Sequence, residues 1–177
     1  MYTSGQERLY LSSRAEFSSG KSIRSGIPVV FPQFATGDSP FSLTAALHNY
    51  FAVTDVQQAL VQGLSGVVYV DKMAAGARCV EEAAELQLRS EADRVYISGP
   101  RQVAISSAIG SSSTVVGTDG FGDWVAWNPW REGSASLADM DSEDYLQMLC
   151  VEAARISDPV VLAPGAAWCG MEVIGVT

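Results

Sequence analysis

The sequence predicts an all-β protein built as an antiparallel β-sandwich. Short runs of β-branched and aromatic residues alternate between apolar and polar positions, which is the period of a half-buried strand. Gly, Ser, Pro and Asp separate these runs at intervals of roughly 8–12 residues, a spacing typical of sandwiches and barrels. Because a chain of 177 residues suits one domain, we expect a single sandwich over residues 1–177.

The longest predicted strand covers Phe41–Phe51, where apolar and polar residues alternate. This alternation places His48 on the face opposite the large aliphatic side chains of Leu43 and Leu47. Further strands are predicted at Gly66–Val70, Arg94–Ser98, Gln102–Ser107, Thr114–Gly117, Asp123–Trp127 and Trp168–Val176. Two short segments are candidate helices, too short to change the fold class: Val56–Val61 and Ser142–Leu149.

The charge of the chain excludes two classes of partner. There are 20 acidic and 11 basic residues, which give a net charge of −9 with the histidine neutral. Nucleic acids and anionic membranes are bound by concentrated Lys and Arg, so we expect neither as a partner. The N-terminal residues lack the apolar run of a signal peptide, and no stretch approaches the roughly 20 apolar residues that cross a bilayer. We therefore expect a cytoplasmic protein.

Cysteine and histidine usage excludes several kinds of site. Cys79, Cys150 and Cys169 are widely spaced, odd in number and form no CxxC pair, which argues against a disulfide framework. His48 is the one histidine of the chain, which excludes a histidine-rich zinc site. The sequence also contains no P-loop, no GxGxxG motif and no GxSxG motif.

His48 and Glu152 are candidates for proton chemistry. A histidine on a strand can donate or accept a proton near neutral pH, although a satisfied, partly buried histidine fits the same pattern. If the strand through Leu146–Ala153 continues to its end, Glu152 shares a face with Cys150. A carboxylate on an apolar face is costly unless it is paired or used in chemistry. The alternative is that the strand ends at Val151 and Glu152 is solvated.

Asp93, Arg24 and the tryptophans are further candidates. Asp93 stands in an acidic turn just before a predicted strand, where it is either functional or a solvated turn residue. Arg24 lies in a predicted loop beside a glycine and a proline, where a planar guanidinium can clamp an anion or simply be exposed. Trp124 and Trp130 could stack on a sugar ring, or pack in the core or at its rim.

Seven segments follow one another along nearly the whole chain: LYLSSRAEFSSGKSIRSGIPVVFPQF (Leu9–Phe34), PFSLTAALHNYFAVTD (Pro40–Asp55), VQGLSGVVYVDK (Val61–Lys72), EADRVYIS, DWVAWNPW, DYLQMLCVEAA and LAPGAAWCGMEVI. The combination of RxGIPxxFPQF, ALHxYF, WNPW and CVEAA is far more specific than any single motif. In this order the segments resemble the hexose-6-phosphate mutarotases, also called glucose-6-phosphate 1-epimerases. That family is similar in fold to galactose mutarotase, a large antiparallel β-sandwich.

The resemblance implies an enzyme that interconverts the α and β anomers of a sugar, without a metal or cofactor. It implies that His48 in ALHxYF and Glu152 in CVEAA are catalytic, that Asp93 binds the substrate, and that Arg24 binds the sugar phosphate. Ring opening needs one group to take the proton of the C1 hydroxyl and another to give a proton to the ring oxygen. Ionised Glu152 suits the first role and protonated His48 the second, with the roles reversed on closure.

Two parts of the family pattern have no counterpart in this sequence. The family has further strands before the position of Gly5, and a block containing an HGxAR-type segment between the positions of Phe34 and Pro40. Here FPQFATGDSPFSL runs directly between two motifs, with the join near Ala35–Ser39. The block normally supplies a second arginine and a glutamine to the substrate site, so the phosphate clamp rests on Arg24. Fewer strands leave unpaired edges, so we expect an incomplete sandwich that is a monomer or an edge-mediated homodimer.

Three functions therefore stay open at the level of the sequence. The first is a short, active hexose-phosphate mutarotase that uses His48 and Glu152. The second is a sugar-phosphate-binding relative without useful catalysis. The third is a shortened form with no function of its own.

Overall fold

The computed structural model describes residues 26–107, 112–138 and 140–177. Within these ranges the chain forms one α-helix, α1 (Trp130–Ser136), a short 3-10 helix (Asp144–Gln147) and thirteen strands. In chain order the strands are β1 (Gly26–Phe34), β2 (Phe41–Ala46), β3 (Tyr50–Ala52), β4 (Leu60–Gln62), β5 (Val68–Asp71), β6 (Ala77–Val80), β7 (Glu85–Leu86), β8 (Ala92–Tyr96), β9 (Gln102–Ser106), β10 (Thr114–Asp119), β11 (Asp123–Asn128), β12 (Met148–Leu162) and β13 (Ala167–Val176). Neither helix in the described ranges has the length and apolar composition needed to cross a membrane.

The strands form two antiparallel sheets, which confirms the predicted all-β sandwich. One sheet has the order β1-β13-β10-β9-β4-β7. The other has the order β2-β12-β11-β8-β5-β6, and β3 pairs with β12 on the same side as β2. Strand β12 therefore pairs with β11 on one side and with β2 and β3 on the other. Its first half carries Glu152.

The core lies between the two sheets and consists of aliphatic and aromatic side chains. Its fully buried members come from strands of both sheets and from the loops that connect them: Val56, Val61, Leu64, Val103, Val116, Trp124 and Leu149. Burial of each such side chain stabilises the fold by about 1.5–3 kcal/mol. The inward side chains of β12, Leu149, Val151 and Ala153, belong to this core, so the alternate residues Cys150 and Glu152 face the other side of the sheet.

The strand predicted over Phe41–Phe51 is interrupted, and the expectation of one continuous strand is wrong. Strand β2 ends at Ala46 and β3 begins at Tyr50, so His48 lies in the gap. The side-chain amide of Asn49 donates to the carbonyl oxygen of Leu47 at 3.1 Å, which satisfies that carbonyl without a partner strand. A local side-chain hydrogen bond of this kind competes with the regular ladder.

No strand was predicted at the position of β1. The loop predicted beside Arg24 overlaps the beginning of this strand. Pro28 and Pro32 argue against a central strand because proline cannot donate to a ladder. The structure resolves this conflict by placing β1 at the edge of its sheet, paired on one side with β13. Gly26, next to that loop, is the first residue of β1.

The predicted join near Ala35–Ser39 connects the ends of the two sheets. Within the described residues, β1 is the last strand of one sheet and β2 the last strand of the other. Ala35 is held by backbone hydrogen bonds with Ala166 and Gly165, and it packs with Val160 and Leu162 in a small separate apolar cluster.

Candidate active site

His48 and Glu152 are in direct contact on the outer face of the second sheet. The Nδ1–H of His48 donates to Glu152 Oε1, and Nε2 lies 3.0 Å from the hydroxyl oxygen of Tyr50. Both candidates for proton chemistry are thus brought together, although 104 residues separate them in the chain. The alternative that the strand ends at Val151 is wrong, because β12 continues beyond Glu152.

Strand register explains why the two side chains meet. Ala46 pairs with Ala154 and Tyr50 pairs with Cys150, so the chain stays in step with β12 across the gap. The backbone N–H of Leu47 donates to the carbonyl of Ala153 at 3.0 Å. The next position along each strand is then a non-hydrogen-bonded pair, in which side chains approach most closely. His48 and Glu152 occupy that position.

The two groups differ in exposure. The Glu152 side chain is 7% exposed, whereas that of His48 is 48% exposed. Burial raises the pKa of Glu152 above the ordinary carboxyl value, and the hydrogen bond and charge of His48 act in the opposite direction. A buried carboxylate that is paired with an accessible imidazole is an arrangement suited to proton exchange with a bound substrate.

A row of cross-strand partners forms the floor beside this pair. Tyr50 on β3 pairs with Cys150 on β12, Cys150 pairs with Trp127 on β11, and Trp127 pairs with Asp93 on β8. Since neighbouring strands lie about 4.8 Å apart, this row spans roughly 14 Å across four strands. The Trp127 ring lies 5.5 Å from the His48 ring and 6.1 Å from the Tyr50 ring, measured between centroids. The row is long enough for a hexose.

Asp93 lies at the far end of this row, on β8 and not in a turn. Lys72 Nζ is 3.0 Å from Asp93 Oδ1 and 3.2 Å from Oδ2. Both charges act on the general-base candidate: Asp93 raises and Lys72 lowers the pKa of Glu152. Sequence analysis missed Lys72, which directly follows a predicted strand with nothing to indicate the direction of its side chain.

The tryptophan that faces the site is Trp127. Of the two alternatives for Trp124 and Trp130, packing in the core or at its rim is confirmed, and stacking on a sugar is not. Trp124 is fully buried in the core and donates its indole N–H to the carbonyl of Pro100 at 2.7 Å. Trp130 begins α1 and packs against Tyr145. Alternation along β11 puts position 127 on the face opposite position 124, but the sequence does not show which face is outside.

Arg24 lies outside the described residues, so its predicted role in phosphate binding stays a prediction. The same holds for any contact it makes with the sugar site. Among the described residues, Lys72 is the cation that acts electrostatically on Glu152 together with His48.

Two other features border the site. His48, Cys150 and Glu152 each offer one potential metal-ligand atom, and these atoms lie within 4.8 Å of one another. Burial, followed by the charge of Glu152, raises the pKa of the Cys150 thiol, which favours the protonated form over the thiolate that binds metals.

A cleft of about 380 Å³ begins at Tyr50 and is lined by Tyr50, Met140, Asp144, Gln147 and Met148. The carboxylate of Asp144 makes this cleft unfavourable for a phosphate group.

Comparison with known proteins identifies the family. The family model "Aldose 1-epimerase" matches residues 20–171 of this chain. The protein named "Putative glucose-6-phosphate 1-epimerase" of Cenchrus ciliaris is 28% identical over 243 residues, which cover 94% of this chain and 74% of that protein. The protein of the same name from Escherichia coli K12 is 31% identical over 118 residues, 67% of this chain and 40% of that protein.

A solved structure has the same fold. The crystal structure titled as a "putative mutarotase (YeaD)" from Salmonella typhimurium matches with a TM-score of 0.75 and 26% identity. The match covers 85% of this chain and 50% of that chain, so this chain matches only half of that structure. The span of 243 residues aligned with the Cenchrus protein exceeds the 177 residues of this chain, so at least 66 of those positions have no counterpart in it. The family match and the shared fold agree, and the chain belongs to the aldose 1-epimerase family.

Proposed function

We propose that this chain interconverts the α and β anomers of a hexose 6-phosphate by acid–base ring opening and closure. The observation that carries this proposal is the contact between His48 and Glu152, an accessible imidazole paired with a buried carboxylate. The names of the relatives support the choice of a phosphorylated sugar, since the Cenchrus and Escherichia coli proteins are named as glucose-6-phosphate 1-epimerases.

In the proposed mechanism each proton transfer has its own group. Ionised Glu152 takes the proton of the C1 hydroxyl while the C1–O5 bond breaks and C1 becomes an aldehyde. Protonated His48 gives its Nε2 proton to the ring oxygen, because its Nδ1 proton is held by Glu152. After rotation about C1–C2 the ring oxygen attacks the other face of C1, and both protons return. General acid–base groups of this kind contribute about 10²–10⁴-fold each.

The floor of the site supplies the orientation that this reaction needs. The half-buried ring of Trp127 offers an apolar face on which a pyranose can lie, and Asp93 accepts hydrogen bonds from sugar hydroxyls. Arg24 is the proposed phosphate ligand, carried over from the family motif. We propose that the sugar phosphate is the small-molecule partner and that neither nucleic acid nor membrane is bound.

The edges of the sandwich bear on the assembly. Within the described residues, β1 is an edge strand on which Ile27 and Phe34 are 73% and 66% exposed. Exposed apolar edge strands are templates for pairing with another chain. A monomer and an edge-mediated homodimer both remain proposals, as does a cytoplasmic location.

Catalytically weak binding of a sugar phosphate is the second candidate function. The observation that favours it is the set of at least 66 positions, aligned in the Cenchrus protein, that this chain lacks. A third outcome is a shortened form without function. Loss of binding groups would reduce turnover even with His48 and Glu152 in contact, because the reacting carbon must be held in place.

Exchange spectroscopy on equilibrated glucose 6-phosphate tests the proposal. Exchange between the α and β anomeric protons is read from the build-up of their cross-peaks. Faster exchange with the protein than in buffer supports a mutarotase. A folded sample that binds the sugar phosphate without accelerating exchange supports the binding relative. A sample that neither unfolds cooperatively nor binds contradicts both.

A further inference from the structure

A buried carboxylate outside the proposed proton chemistry lies directly beneath the site. Glu172 belongs to β13 of the opposite sheet and is fully buried. Its side chain points into the interior of the sandwich, on the same face of β13 as Trp168 and Ile174, which pack against the core. A charge in such a position is tolerated only when it is hydrogen-bonded.

Both carboxylate oxygens of Glu172 accept hydrogen bonds from the second sheet. Asn49 Nδ2 donates to Oε1 at 2.7 Å, and the backbone N–H of Ala153 donates to Oε2 at 3.2 Å. Asn49 directly follows His48, and Ala153 directly follows Glu152. Glu172 thus holds the neighbour of each proposed catalytic residue from the inner side of the sheet.

These hydrogen bonds replace one rung of the β-ladder. In a regular antiparallel pair, Leu47 and Ala153 would exchange two backbone hydrogen bonds. One is present, from the Leu47 N–H to the Ala153 carbonyl at 3.0 Å. In place of the other, the Leu47 carbonyl accepts from Asn49 Nδ2 at 3.1 Å, and the Ala153 N–H donates to Glu172. Asn49 and Glu172 therefore bridge the two ends of the missing rung.

The missing rung coincides with the gap between β2 and β3 in which His48 lies. We infer that Glu172, acting through Asn49, is a positioning residue that fixes this gap so that the His48 imidazole meets Glu152. This inference rests on the proposed mutarotase function for its effect on turnover. The positioning itself is a property of the free protein and can be measured without substrate.

The single histidine of the chain makes that measurement unambiguous. In protein labelled with 15N-histidine, every imidazole signal comes from His48. We expect the wild type to show a strongly deshielded Nδ1 proton, because that proton is donated to the Glu152 carboxylate. Glu172→Gln places an amide N–H₂ against one of two donors, and Asn49→Ala removes one donor, so both variants should shift or lose this signal.

Glu81→Gln is the matched control. Glu81 is also a buried carboxylate, 7% exposed, and it accepts hydrogen bonds from Tyr96, Ala83 and Arg94 at the other edge of the sheet. This variant makes the same chemical change in a buried position without touching the gap. We expect its His48 spectrum to match that of the wild type.

Turnover provides the second readout. Both Glu172→Gln and Asn49→Ala should lower kcat by up to about 10²-fold with a much smaller change in KM, because misplacement affects the reacting groups more than the binding floor. The double variant should lose little more than either single variant, since both act on one bridge. If Glu172→Gln does not fold, the His48 spectrum and the turnover of Asn49→Ala test the inference.

An unchanged His48 spectrum in folded Glu172→Gln or Asn49→Ala protein would overturn the inference. A wild type that fails to accelerate anomeric exchange would instead contradict the proposed function. In that case the His48 spectra of the variants still decide whether Glu172 positions the pair.

Discussion

His48 and Glu152 occupy opposite positions in the strand register even though the ladder between their strands is interrupted there. The pairs on either side, Ala46 with Ala154 and Tyr50 with Cys150, show that no residue is inserted or lost. The register brings the two side chains to the same face, and the gap leaves His48 about half exposed for a substrate. Both features are needed if the pair is to exchange protons with a sugar.

The first prediction concerns the pair as a unit. His48→Gln and Glu152→Gln should each lower kcat by about 10²–10⁴-fold, because each removes one proton-transfer group. The double variant should be little slower than the slower single variant, since neither group works without the other. Anomeric exchange rates of the three proteins test this, and additive losses would contradict a shared role.

The second prediction concerns pH. The proposed mechanism requires ionised Glu152, and burial raises the pKa of this carboxyl despite the opposing effect of His48. The acid limb of kcat/KM should therefore lie above about pH 4.3, the ordinary value for a glutamate. Lys72 lowers the same pKa, so Lys72→Met should move the acid limb to higher pH. A limb that stays in place or moves to lower pH in this variant would contradict the electrostatic account.

The third prediction concerns stability. Burial raises the pKa of Glu172, whereas the hydrogen bonds from Ala153 and Asn49 lower it by less. A carboxyl with a raised pKa in the folded state contributes stability below its unfolded pKa and loses it as the pH rises through the folded value. The free energy of unfolding of the wild type relative to Glu172→Gln should therefore fall as the pH rises from about 4 towards neutrality. Urea unfolding across this range measures it, and a rising difference would contradict the burial argument.

The fourth prediction concerns the phosphate group. Arg24→Ala should weaken binding of glucose 6-phosphate more than binding of glucose, because an arginine–phosphate contact is lost only with the first ligand. Arg101→Ala is the control, since Arg101 is 79% exposed and pairs with Asp119 on the other sheet. Isothermal titration with both sugars gives the comparison. Equal loss for the two sugars would rule out the phosphate role of Arg24.

Much of the fold followed from the period-two pattern. The strands around Val95, Val103, Val116 and Val125 lie where the sequence predicted them, because each is a short apolar run bounded by turn residues. Strand β1 was missed because Pro28 breaks the signal of a strand that needs only one partner.

The site was predicted in part, and the missing residues have a common physical cause. The family motifs singled out His48, Glu152 and Asp93, and these residues lie on one face of the sheet. Trp127 and Glu172 were missed because their proposed roles depend on which face of a strand is inward, and alternation alone does not give the direction. Glu172 did leave a signal, since a charge at an inward position of an apolar strand requires a partner.

The central claim is that the His48–Glu152 pair makes this chain a mutarotase, and exchange spectroscopy tests it most directly. Wild-type protein, Glu152→Gln and Glu85→Gln are added at equal concentration to equilibrated glucose 6-phosphate. Glu85 lies on β7 of the other sheet and contacts Gln62, so its variant controls for the chemical change alone. We predict exchange cross-peaks between the anomeric protons with the wild type and Glu85→Gln, and none above buffer with Glu152→Gln. Equal exchange in all three samples, or none above buffer from folded wild type, would contradict the account.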